Sequence, residues 1–507
     1  MLKHATLGAA ALMLASTALA RAEVDARTIW QDWQDVYARF GGTLSAASED
    51  FADGTLTLEG VTVTSDVGGT EARTVFGTVT LAEQPDGTVR IALPAQVDVT
   101  TTATAGELEQ NQDMTLTHEG LDIVASEADG VRTYDVAART VTLAVTQQMS
   151  VPEGSDAEPE GEMPPTDVTF TLSDLASTYR SGMGGDADAF TQEGTAATAR
   201  IAVETRSEDN PLTISQEMRA LAMDVSGTYG PMPTEPVTSL FSSGLAYEGS
   251  ISHSGSTLAL DGSNAATEDG VPAQTYAIDG TSEAGRMGVG LGDGQLSYAV
   301  TSTGPALTIE SSQAPMPIAV SMAEIGTALS LPAGEPGGEA PFDMSVTLRD
   351  LVVDDAVWAM FDPTGQLPRD PATLVLALKG TAVMNVDLLG DPEAMAALQG
   401  PPGELKSLDL TELTLTVAGA ALRGSGALTF PEPTPVPEPV GTIELALDGG
   451  FALLDRLVAL GVLPAEQAAF IKGMSGAVAR TTGEDQLEST IEFTEGGGIS
   501  ANGLPLR

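Results

Sequence analysis

Long stretches of the chain alternate apolar and polar residues with a period of two, and no other feature restricts its fold so strongly. Thr55-Leu56-Thr57-Leu58, Thr88-Val89-Arg90-Ile91-Ala92-Leu93, Val141-Thr142-Leu143-Ala144-Val145, Leu413-Thr414-Leu415-Thr416-Val417 and Thr442-Ile443-Glu444-Leu445-Ala446-Leu447 are examples. In an extended strand this period sends the apolar side chains to one face and the polar ones to the other. Thr, Val and short aliphatics fill both sets, which suits sheets with one dry and one wet face. The predicted fold is therefore mainly β: one or more long, curved antiparallel sheets. The phase also breaks in a recurring way. Thr55–Leu58 and Val61–Thr64 alternate out of step because Glu59-Gly60 intervenes, so a bulge or kink is expected at Gly60. Thr115–Ile123 repeats the arrangement, and Val168–Leu175 and Val346–Leu351 are looser relatives. Their spacing is irregular, so one strand unit is reused without a fixed solenoid period.

Helical periodicity is confined to the ends. Ala26–Phe40 reads as an amphipathic helix with Asp25 as N-cap and Gly41-Gly42 as its stop. Ile29, Trp33, Val36 and Phe40 form its apolar stripe, with Trp30 and Tyr37 beside it. The stripe is expected to pack across a sheet; the sharper use of Trp30 and Trp33 is contact with a ligand. Phe451–Leu460 is predicted as a second helix ended by Gly461, and Pro464 opens a third that runs to about Met474. A closing hairpin follows from Ser489–Thr494 and Ile499–Asn502. Pro152–Asp167, Leu331–Pro341 and Pro431–Pro439 read as surface loops or linkers, the last being stiff. The expected organisation is a signal peptide over 1–22, a mainly β body over 23–430, and a strand, two helices and hairpin over 440–507.

The signal peptide is read from Lys3 followed by an uncharged apolar run, Ala5–Ala20, and two small-x-small cleavage sites, Ala18-Leu19-Ala20 and Ala20-Arg21-Ala22. The second is preferred, leaving Glu23 as the mature start. A periplasmic protein that is not an integral membrane protein after cleavage is expected. The absence of Cys excludes disulfides, thiolate catalysis and cysteine metal sites. A net charge of −49, becoming −51 without Lys3 and Arg21, repels phosphate backbones, so no nucleic-acid partner is expected. An outer-membrane barrel is disfavoured by 4% aromatic residues, too few for two interfacial girdles, and by the terminal Arg507.

Chemistry is sparse. His118 and His253 stand alone in alternating segments, Gly184–Asp188 reads as a turn, and Gly288–Gly294 lacks the Lys-Ser/Thr of a phosphate loop. No catalytic residue, metal site or cofactor is predicted. The most distinctive segment is Trp358-Ala359-Met360-Phe361-Asp362-Pro363-Thr364-Gly365-Gln366-Leu367-Pro368-Arg369-Asp370-Pro371-Ala372. With the Trp30-x-x-Trp33-x-x-x-Tyr37 helix, the signal peptide and the closing Asn502-Gly503-Leu504-Pro505-Leu506, it resembles an exported alphaproteobacterial family, domain of unknown function 2125, over essentially the whole mature chain. That resemblance implies no activity. Pro363, Pro368 and Pro371 suggest a rigid extended turn pinned by Arg369 on Asp362 or Asp370. The alternative use of Arg369 is to grip a ligand beside Trp358 and Phe361. The ending and the strand-bulge-strand units are also similar to large exported proteins that curl a sheet into a lipid-holding trough. The expected function is a periplasmic, non-enzymatic binding or scaffold protein holding an apolar ligand such as a lipid on a curved sheet. The alternatives are a purely structural or protein-interaction protein of the cell envelope and a carboxylate-dependent hydrolase.

Overall fold

A computed structural model of the chain describes residues 24–39, 42–67, 70–105, 108–150, 165–182, 188–207, 209–229, 245–266, 272–333, 337–387, 398, 400–431 and 438–507. The signal-peptide and cleavage-site readings, Phe40, Gly184–Ala187 and most of the Pro152–Asp167 loop lie outside them. Among the described residues, 29 strands join in one sheet and every pairing is antiparallel. Among the described residues no pairing links its first strands, Gly42–Ser45 and Ser48–Ala52, with its last, Gly498–Ala501 and Leu504–Pro505, so the sheet they form is open. It also continues past the Pro-rich segment, since Val440–Asp448 pairs residue by residue with Ala420–Thr429.

Strands follow one another as neighbours, and many cross the sheet as two pieces laid end to end. Ala246–His253 and Ser256–Asn264, for example, both pair with the single long strand Leu212–Tyr229. The breaks fall on one line. At that line the apolar alternation skips a phase in strand after strand, so that Leu58 is followed by Val61, Leu172 by Leu175, Met218 by Leu221 and Leu348 by Leu351. The skips carry a positive φ at Gly60 (60°), Gly120 (64°), Asp174 (51°), Ala220 (49°) and Asp350 (53°). The recurring sequence units are thus successive crossings of one seam. Register shifts occur beside Gly60 and between Leu348 and Leu351, whereas at Asp174 the pairing lapses and resumes unshifted. Backbone hydrogen bonds stitch the seam from strand to strand: Arg219 N–H donates to Gly255 (2.9 Å), and Gly304 N–H to Ala323 (2.8 Å). The phase skip lets apolar residues on either side of the seam share a face, as Leu58 and Val61 do in one buried core. Because kinks bend a strand, kinks aligned across many strands crease the sheet lengthwise.

Helix α1 (Ala26–Arg39) closes the first end. Asp25 caps it by accepting the Thr28 N–H (2.9 Å). Ala26, Ile29 and Trp30 are buried with Leu56, Leu58, Val79, Leu81, Val89, Ile91 and Ala125 in the hydrophobic core. Only the first turns are covered, because Val36 and Tyr37 are exposed, contrary to the continuous stripe expected. Residues 355–361 form a short helix, α2 (Asp355–Phe361), beyond the three helices expected, and the non-helical turn expected at Pro363–Pro371 follows it. Asp354 caps it through the Ala356 N–H at 2.6 Å. Helices α3 (Gly450–Ala459) and α4 (Ala465–Val478) lie near their predicted places. Gly449 offers α3 no side-chain cap, and Asp485 supplies one from the neighbouring hairpin, accepting the N–H groups of Phe451 (2.8 Å) and Ala452 (2.9 Å).

Candidate functional site

Strand register turns the alternation into rows. From Val136 the apolar row on one side of the seam runs through Ser177, Gly194, Met223, Ile251, Met287 and Val300. It continues through Thr327, Val346, Leu376, Leu413 and Gly424 to Leu445. No member is charged. Across the seam, Val99, Met114, Val145, Val168 and Val203 lead to Ile214, Leu260, Ile278, Ile309 and Ile318, apolar without exception. In-register side chains share a face, so these rows run along one face of the sheet, one on each side of the crease. The opposite face carries carboxylates in rows such as Asp135–Thr178–Glu193–Asp224 and Asp343–Lys379–Asp409.

Coverage of this face changes abruptly. Under α1 the first row begins with Leu81 and Ile91, which are 0% and 3% exposed. Further along the same row Ile251, Met287 and Val346 are 37%, 38% and 37% exposed. Large aliphatics that a helix or second sheet covered would be as dry as Leu81. At one rim the face deepens into a hollow of about 280 Å³ lined by Leu331, Phe342, Ala382, Met384 and Leu405.

The junction of cap and trough is polar. Arg132, 4% exposed, pairs with Asp32 of α1 and with Glu127 (2.7 Å). Burial opposes its charge, but the Glu127 hydrogen bond and Asp32 outweigh it and hold its pKa above the usual arginine value. Burial pushes the Asp32 carboxyl up, against the pull of Arg132. Beside this cluster Trp33 donates its indole N–H to the Tyr134 hydroxyl (3.2 Å), and burial raises the Tyr134 pKa. Trp30 bonds Glu49 (2.9 Å) from within the core. The two tryptophans thus dock α1 on the sheet.

Acid–base chemistry has little to work with. Among the described residues no three His, Asp or Glu side chains are placed to hold a metal ion. Asp122, Asp135 and Glu193 share a hollow on the polar face, but each has a partner: Arg90 (3.4 Å), Thr178 (2.8 Å) and Arg180 (3.6 Å). The His118 ring lies 2.9 Å from the Pro94 carbonyl oxygen. His253 is lowered in pKa by burial.

Comparison with known proteins places the second part of this architecture. Residues 254–506 match the family model described as an uncharacterised protein conserved in bacteria, DUF2125. Over these residues the chain belongs to the DUF2125 family. The match begins at the seam beside Gly255 and leaves out α1 with Trp30 and Trp33, so it is shorter than the resemblance implied. No curated protein matches the chain. Within the DUF2125 region Trp358 and Phe361 pack at 4.8 Å between ring centroids, and Arg369 lies 6.0 Å from the Trp358 ring. Arg369 pairs with Asp355 (2.5 Å), not with Asp362 or Asp370 as expected, because helix α2 brings the first of these carboxylates beneath it. Asp362 instead accepts the N–H groups of Gln366 (2.9 Å) and Leu367 (2.8 Å), bonds that hold its carboxyl below the usual carboxylate range. Trp358, Phe361 and Arg369 therefore form one cluster, and Trp30 and Trp33 form another at the capped end. The apolar rows between them were not singled out from the sequence, since only register assembles them.

Proposed function

We propose that this DUF2125-containing protein is a periplasmic, non-enzymatic binding protein whose creased sheet holds the acyl chains of a lipid. One observation carries the reading: a row dry under α1 continues uncharged over the rest of the sheet, where its large aliphatics Ile251, Met287 and Val346 are more than a third exposed. Such a face gains roughly 25 cal/mol for each Å² of apolar surface that a ligand removes from water. The charged rows on the opposite face and the uncharged export-type run Ala5–Ala20 support the same reading.

The test is to purify the exported form, extract it with organic solvent, and titrate the delipidated protein with an environment-sensitive fatty-acid probe. Lipid in the extract and saturable probe binding are expected. Val300→Asp, on the apolar face, should lower the amount of probe bound at saturation, and Thr301→Asp, one residue away on the polar face, should leave it unchanged. Absence of both lipid and probe binding would leave a structural or protein-binding role.

A further inference from the structure

We infer that the loaded sheet carries several acyl chains at once, laid end to end across the strands, so that the crease is a conduit and not a one-lipid pocket. This rests on the binding reading above. From Val136 to Leu445 the apolar row makes twelve strand-to-strand steps. At about 4.8 Å per step the row is roughly 58 Å long. One acyl chain spans half of a bilayer's hydrocarbon core, about 15 Å. A single-lipid site would need a wall within that distance. Instead the row passes through Ser177, Gly194, Thr327 and Gly424, small uncharged residues that obstruct nothing, and the row across the seam is apolar from Val99 to Ile318. The buried core beneath α1 ends at Ala125, with Tyr134 of the next strand packed against it.

Charge decides between hydrocarbon and the main rival occupant, a second copy of the chain. Two copies stacked apolar face to apolar face would set two bodies of −49 about 10 Å apart. Hydrocarbon brings no charge to rows that have none.

The experiment is native mass spectrometry of the delipidated full-length protein saturated with palmitate, alongside Ile251→Asp and Val346→Asp. Both residues are more than a third exposed, so either substitution should leave folding intact, and circular dichroism checks this. Three or more palmitates per wild-type chain are expected. Each single variant should lose about one while retaining the others, and the double variant should lose about two. One palmitate at saturation, abolished by a single substitution, would overturn the conduit and keep the binding reading. No palmitate at all would overturn both. A protein dimer that forms as lipid is removed and excludes palmitate would assign the face to a second copy.

Discussion

Arg132 sits where the sheet passes under its helical cap, and its two carboxylate partners come from different parts of the chain, Asp32 from α1 and Glu127 from the neighbouring strand. Replacing it with Leu strands two carboxylates in a partly desolvated junction. The expected loss is about 3–5 kcal/mol, the range for breaking one side of a buried ion pair, read from denaturant unfolding. Asp362 makes a different prediction. Its carboxyl is held low by backbone N–H bonds in the folded state, so its contribution is fully present above the unfolded value near 3.9. It is lost as pH falls through the lower folded pKa. Asp362→Asn should destabilise the protein at neutral pH and flatten its stability profile below about pH 4; an unchanged acid limb in a pH series of melts would refute this. The Asp-Pro turn is visible in the sequence. The partner of Arg369 is not, because Asp355 becomes its neighbour only after residues 355–361 coil into a helix whose start signals, the cap Asp354 and Asp355 in its first turn, are easily read as part of an acidic turn.

Helix α1 and the seam are the two elements whose sequence signals can be compared with their structure. Asp25, the helical spacing and the doubled glycine give α1 its place, yet its buried face is Ala26, Ile29 and Trp30, while Val36 and Tyr37 stay exposed. Periodicity marks which residues share a side, but not where the underlying sheet ends. Trp30→Ala is accordingly expected to cost about 3–5 kcal/mol, as for other large buried aromatics. Trp33→Ala should cost less, since Trp33 is only partly buried, and its signature would be a change in Tyr134 ultraviolet absorption. The seam was legible at four points as a skipped phase. Its alignment was not, because loops of unequal length separate the skips in sequence and only pairing brings them into line. At Gly60 the φ of 60° disfavours any side chain, and an added Cβ would stand 3.1 Å from Ala47. Gly60→Ala should therefore destabilise by more than about 1 kcal/mol. A neutral result in equilibrium unfolding would mean that the kink there is not required.

At the scale of the whole molecule, a sheet of 29 strands that does not close on itself should be long. A compact chain of 507 residues has a radius of gyration of about 23 Å. Small-angle scattering is expected to give a larger value with an elongated profile, and a compact value would mean that the two sides of the crease fold together. Alternation made the strand-rich character readable, and strands indeed make up 67% of the described residues. It could not reveal that the apolar face stays uncovered, since a sandwich and an open crease write the same pattern into each strand. One consequence lies in the order of the strands. Each strand meets chiefly those beside it, as the units of a repeat protein do, so stability is a sum over neighbours and damage stays local. A hairpin inserted between two existing strands preserves the antiparallel order, the seam and the cap. Each such pair would lengthen the protein by about 10 Å, so its reach is a quantity that evolution can adjust in even steps without redesigning either end.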